Sequence, residues 1–106
     1  MAKYMLIGSY TAEGAKGLLK EGGTARLEAA RGAIASAGGT IESFYFGFGS
    51  DDFYVTVDMP DHVAASAVAL AIGSSGKTTA RTVVLITPQE IDRAAQVSVD
   101  YRPPGG

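Results

Sequence analysis

The chain has no cysteine, no tryptophan and no asparagine, and a single histidine, His62, in 106 residues. Without cysteine there is no disulfide, no thiol nucleophile and no thiolate ligand for zinc or an iron–sulfur cluster. Without asparagine there is no N-glycosylation acceptor. One imidazole is too few for a histidine-built metal site, and it gives haem little axial ligation. The reading therefore calls for no metal and no cofactor. An excess of one charge is also missing. Nine Lys and Arg stand against eleven Asp and Glu, a net charge of −2. That removes the electrostatic case for a nucleic acid or an anionic membrane as partner. Long apolar runs are absent too. The longest, Val63 to Ile72, is interrupted by Ser66 and is about half a membrane span. The stretch Met1 to Gly8 is too short for a signal-peptide core. The expectation is a cytoplasmic protein.

What is present is 46% hydrophobic residues and 14 glycines. A chain of this length suits one domain, residues 1–106, able to bury roughly two-thirds of its unfolded surface. Residues 102–106, Arg-Pro-Pro-Gly-Gly, read as an extended tail.

A first strand is predicted over about Lys3 to Tyr10. Thr11 can cap a helix to Glu21 that places Ala15, Leu18 and Leu19 on one side, with Gly14 and Gly17 weakening it. Gly22-Gly23 breaks that helix, and Thr24 can cap a second to Ala37 with a stripe of Leu27, Ala30, Ile34 and Ala37. Strands follow over Thr40–Phe48 and Phe53–Asp58, joined by a turn at Gly49-Ser50-Asp51-Asp52. Asp61 caps a helix to Ile72, a fourth strand spans Thr79–Ile86, and Thr87-Pro88-Gln89-Glu90 is a capping box opening a last helix to Val97. The order β-α-β-β-α-β with a C-terminal helix is ferredoxin-like α+β: an antiparallel sheet with helices on one face.

A turn centred on Ser50–Asp51 pairs Phe48 with Phe53, Phe46 with Val55 and Phe44 with Val57. Side chains alternate, so these six share the helix-covered face. The other face carries Ser43, Tyr45, Tyr54, Thr56 and Asp58. The first and fourth strands are apolar on both sides, whereas a sheet with one wet face should alternate. The economical explanation is a second layer, another copy of the chain, giving a homodimer or higher homo-oligomer. Space between the layers would be lined by Tyr45, Tyr54 and Thr56, with Tyr10 and Arg81. Tyrosine presents an apolar body with a polar tip, which suits a small aromatic or apolar ligand; packing between subunits explains these residues equally well.

Other motifs are weaker. Ala71–Thr78 (AIGSSGKT) fits a relaxed phosphate-loop pattern, but it follows a helix and precedes a strand, the reverse of the working arrangement. A glycine-rich connection is the better explanation. His62, beside Asp61, and Asp58 are the candidate acid/base residues; a solvated histidine and a strand-end carboxylate are the blander explanation.

Three stretches carry a wider likeness: Tyr10-Thr11-Ala12-Glu13-Gly14 continuing through Gly17-Leu18-Leu19-Lys20-Glu21-Gly22-Gly23; Gly38-Gly39 to Phe48-Gly49; and Asp58-Met59-Pro60-Asp61. With the Thr87-Pro88 helix start and Tyr101-Arg102-Pro103-Pro104, the whole chain resembles the GYD-domain family of small bacterial and archaeal proteins. One departure is plain: aligned through Gly49 and Asp52, the tyrosine that names the family is Asp51 here. The resemblance implies a fold of the dimeric α+β barrel type and supplies no catalytic mechanism. Three functions stay open: a homodimeric small-molecule-binding module with its ligand between sheet and helices or between two sheets, a cofactor-independent monooxygenase or isomerase of the dimeric barrel type, and a structural or assembly subunit. Enzyme activity is left undecided.

Overall fold

The computed structural model describes residues 1–106. In chain order the elements are β1 (Ala2–Tyr10), α1 (Ala12–Glu21), α2 (Gly23–Ser36), β2 (Thr40–Phe46), β3 (Phe53–Met59), α3 (His62–Ser74), β4 (Thr78–Leu85) and α4 (Pro88–Ala95). The strands form one antiparallel sheet in the order β2-β3-β1-β4. The protein is α+β, with the first three helices on one face of the sheet.

The alternation of the strands decides which side chains form the core. Tyr4 and Leu6 of β1 and Phe53, Val55, Val57 and Met59 of β3 point to the helices. They meet Ile34 of α2 and Ala65 and Val68 of α3. No buried side-chain polar atom lacks a partner. The α2 stripe is as expected: Ile34 is buried, and Leu27, Ala30 and Ala37 are half-buried. The α1 stripe is not. Ala15 and Leu19 face solvent, Leu18 is half-buried, and the buried residue is Gly14. Nor does Thr24 cap α2. Gly22, with φ +85°, stands between the two helices and no side chain caps α2. Glycine adopts this left-handed backbone without the steric cost of a Cβ, so the chain turns here and α2 begins early.

The hairpin register differs from the expected one by two residues. Phe46 pairs with Phe53, Phe44 with Val55 and Ile41 with Val57. The connection is Gly47–Asp52, closed by the Gly47 N–H donating to Asp52 O at 2.9 Å. Asp52 also ties this loop to β1: its N–H donates to Gly8 O at 2.7 Å and its Oδ2 accepts from the Tyr10 N–H at 2.9 Å. These bonds favour the longer loop and leave Phe48 fully exposed at its tip. A shift of two keeps every other side chain on its expected face, because the side-chain period is two. An irregularity between Ile41 and Ser43 then sets Glu42 off the ladder, so Ile41 and Phe44 both reach the core side.

Three caps agree with the sequence. Thr11 Oγ1 accepts from the Gly14 N–H, Asp61 Oδ1 from Ala64 and Thr87 Oγ1 from Glu90, whose carboxylate in turn accepts from the Thr87 N–H at 2.9 Å. That last bond holds the Glu90 carboxyl below its ordinary value. A carboxyl lowered in the folded state adds stability above its unfolded pKa and loses it as pH falls through the folded one. The first turn of α4 should therefore loosen as pH falls through and below the ordinary glutamate range. NMR amide shifts of Thr87–Ile91 should report this, and Glu90→Gln should abolish the transition; a flat acid titration in the parent chain would contradict it. The Pro103–Gly106 tail ends in a turn, not fully extended, with the Gly106 N–H donating to Pro103 O.

Candidate functional site

The face of the sheet away from the helices is open. Cross-strand pairing arranges its side chains in rows. In one row Tyr45, Tyr54, Ile7 and Arg81 follow one another across β2, β3, β1 and β4. In the next stand Ser43, Thr56, Met5 and Val83. The third holds Asp58, Lys3 and Leu85. Neighbouring strands lie about 4.8 Å apart, so each four-strand row is roughly 14 Å long.

The chemistry changes along and between these rows. Tyr45 is 70% exposed and Tyr54 37%, forming an aromatic end with free hydroxyls. Ser43 Oγ and Thr56 Oγ1 hydrogen-bond to each other at 2.5 Å. Ile7 is buried, and Met5 half-buried, between flanking strands. Lys3 donates to Asp58 at 2.9 Å and to Glu42, and these bonds raise the pKa of the lysine, Glu42 first. Lys3 is thus matched by two carboxylates. Arg81 has one looser partner, Asp51 Oδ2 at 3.5 Å, and is the more available cation of this face. Beside it lies a depression of about 260 Å³ lined by Ile7, Ser9, Asp51, Thr79 and Arg81, among others.

The structure brings Tyr45, Tyr54, Thr56 and Arg81 onto this face. It does not bring Tyr10, which lies on the helix side with its ring 5.5 Å from that of Phe53. Burial pushes the Tyr10 phenol above its ordinary value. The parity of β1 explains the separation: Tyr10 shares a side with Tyr4 and Leu6, and Ile7 takes the face of Arg81. Asp58 is on the open face but held by Lys3. His62 is exposed at the start of α3, a helix of the other face, so the two acid/base candidates do not converge. The core between Tyr4, Leu6, Ile34, Val57 and Met59 holds no water-sized space. Ser9 and Asp51 were not foreseen as lining residues. Asp51 arrives from the β2–β3 loop, which spans Gly47–Asp52 rather than Gly49–Asp52; its place at the family's tyrosine position is the available signal.

No group of three or more acidic or histidine side chains is gathered where a metal ion could be held, and no helix is long and apolar enough to cross a membrane. The connection after α3 contains no phosphate cradle of the usual kind. It closes against α1 instead, with Thr11 N–H donating to Lys77 O at 2.9 Å.

The class defined by these features is a small α+β protein whose antiparallel sheet is covered on one face and presents a mixed aromatic, apolar and hydroxyl-bearing surface on the other. The GYD domain family model matches residues 4–95, and the chain belongs to that family. No curated protein and no solved structure matches it.

Proposed function

We propose that this chain is a ferredoxin-like subunit of the dimeric α+β barrel type, acting as a homodimeric small-molecule-binding module. Two open sheet faces pack together and hold a small, partly aromatic ligand between them. The observation that carries this reading is the contrast between the two faces. The helix face holds the packed core, whereas the open face leaves Tyr45, Tyr54 and Val83 exposed beside half-buried Met5 and Leu85, with no second layer over them in the single chain. Aromatic and apolar side chains left exposed together on one face mark an interaction site. Tyr45 and Tyr54 stack on the ligand's ring, Thr56 contributes a hydroxyl, and Arg81 neutralises an acidic group at the other end of the row.

Native mass spectrometry of freshly purified protein tests this directly. The expected species is a dimer, or an assembly of dimers, of the 10.9 kDa chain with a retained small molecule. A monomer at micromolar concentration in light scattering overturns the dimer. Arg81→Ala should weaken the retained ligand about 10-fold or more, since hydrogen bonds to a charged group contribute roughly 1.5–3 kcal/mol. Unchanged ligand occupancy in both Arg81→Ala and Tyr54→Ala removes the site.

A further inference from the structure

Two apolar surfaces remain that neither the core nor the open sheet face uses. The first is the outer side of α3. This helix contains no charged residue over His62–Ser74, and a helix apolar all round belongs in an interior. Its inner side is satisfied: Ala65 and Val68 are buried and Ile72 is half-buried. Half a turn away, Val63, Ala67 and Leu70 form a second stripe at i, i+4, i+7. Val63 is 68% and Leu70 74% exposed. The second surface is the C-terminal arm, residues 87–106. On α4, Ile91, Ala94 and Ala95 fall on one side, with Gln89 and Arg93 opposite. Beyond it Val97, Val99 and Tyr101 alternate with Ser98 and Asp100, and every residue from Pro88 onward is exposed.

The arm is held out from its own body. Only Ile86 and Thr87 separate β4 from α4. Pro88 fixes its own φ, and the reciprocal Thr87–Glu90 capping box fixes the angle at which α4 leaves the sheet. The molecule is accordingly long, 56 × 32 × 23 Å, with a radius of gyration of 16.9 Å, against about 13 Å for a compact chain of this size. An arm with an apolar stripe and a stiff exit, on a chain that also carries an uncharged, uncovered helix face, is complementary to a second copy of itself.

We infer that the C-terminal arm of one chain packs its exposed apolar residues Ile91, Val97 and Val99 on the outer face of α3 of another copy, and receives that copy's arm in return. Reciprocal exchange closes this contact on itself with two-fold symmetry. The contact lies on the helix side, away from the proposed ligand face, and it stands or falls separately from that face.

The absence of cysteine makes the test clean. Ile91→Cys is combined in turn with Val63→Cys, Ala67→Cys and Leu70→Cys in the full chain, and each double variant is oxidised at micromolar concentration. The expected result is a disulfide between chains in at least one pair, seen as a doubled mass on a non-reducing gel. Only in-chain disulfides, or none in all three, overturns the inference. Independently, the triple variant Ile91→Asp, Val97→Asp, Val99→Asp should sediment about twofold lighter than the parent with an unchanged circular dichroism spectrum, because these side chains support no part of the single-chain core. Unchanged mass overturns it. Tyr45→Asp with Val83→Asp, both exposed, probes the open sheet face. A mass that falls with the arm variant alone removes the sheet-to-sheet dimer and keeps the arm; one that falls with the sheet variant alone does the opposite.

Discussion

Met59→Ala should lower the stability of this protein by about 2–5 kcal/mol, the range for emptying a fully buried large side chain. Met59 closes β3 with 0% exposure, in the core with Ile34, Val57 and Ala65. The site cannot collapse easily. Gly39 lies so close that a β-carbon there would be 2.4 Å from the Met59 sulfur and 2.6 Å from Asp58 O. Backbone already occupies that side, so the truncated site keeps its cavity. For a domain of this size the loss corresponds to a melting temperature lower by roughly 10–30 °C. Met59→Leu, which keeps the volume, should cost less than about 1.5 kcal/mol. Thermal and urea unfolding of both variants checks this, and a loss below about 1 kcal/mol for Met59→Ala would show that the core is loose at this end.

Gly14→Ala should destabilise, although it replaces a glycine inside a helix. Helix propensity alone favours alanine by about 1 kcal/mol. Against that, a β-carbon at Gly14 would lie 2.0 Å from the Lys77 carbonyl oxygen and 3.0 Å from its carbon. Those are backbone atoms, and the loop cannot retreat without breaking the Thr11 N–H bond to Lys77 O. Overpacking costs about 1–3 kcal/mol and a lost hydrogen bond about 1 more, so the clash wins by roughly 1–3 kcal/mol. Gly17, one turn along the same helix, has nothing within 4 Å of its would-be β-carbon. Gly17→Ala should therefore gain about 1 kcal/mol. Urea midpoints of the two variants should move in opposite directions at equal slope; midpoints moving together would mean that α1 is not pressed against the Gly76–Lys77 loop.

These two glycines show where sequence reading stops. Both weaken a helix by the same amount on paper, and only the approach of a loop more than sixty residues away separates their roles. The same holds for the tyrosines. Tyr10 and Tyr54 are chemically alike, but strand parity sends one into the helix layer and the other onto the open face. The caps at Thr11, Asp61 and Thr87 were legible because they depend on neighbours within three residues. The hairpin register was not, because Asp52 selects the loop through bonds to Gly8 and Tyr10 on another strand.

The sequence by itself determined the exclusions, the four strands and four helices in order, and the apolar character of both sheet faces. These follow from composition and from periodicities of two and 3.6, which are local properties. The absence of cysteine and the single histidine still confine the chemistry of any site to tyrosines, hydroxyls, carboxylates, a few cations and one imidazole. The tertiary structure alone decided that Tyr45, Tyr54, Ile7 and Arg81 form one row, that Asp51 rather than Tyr10 joins it, and that the last twenty residues stand away from the core. Each of those depends on strand pairing, loop closure or an exit angle set by residues distant in sequence, and no local pattern encodes them.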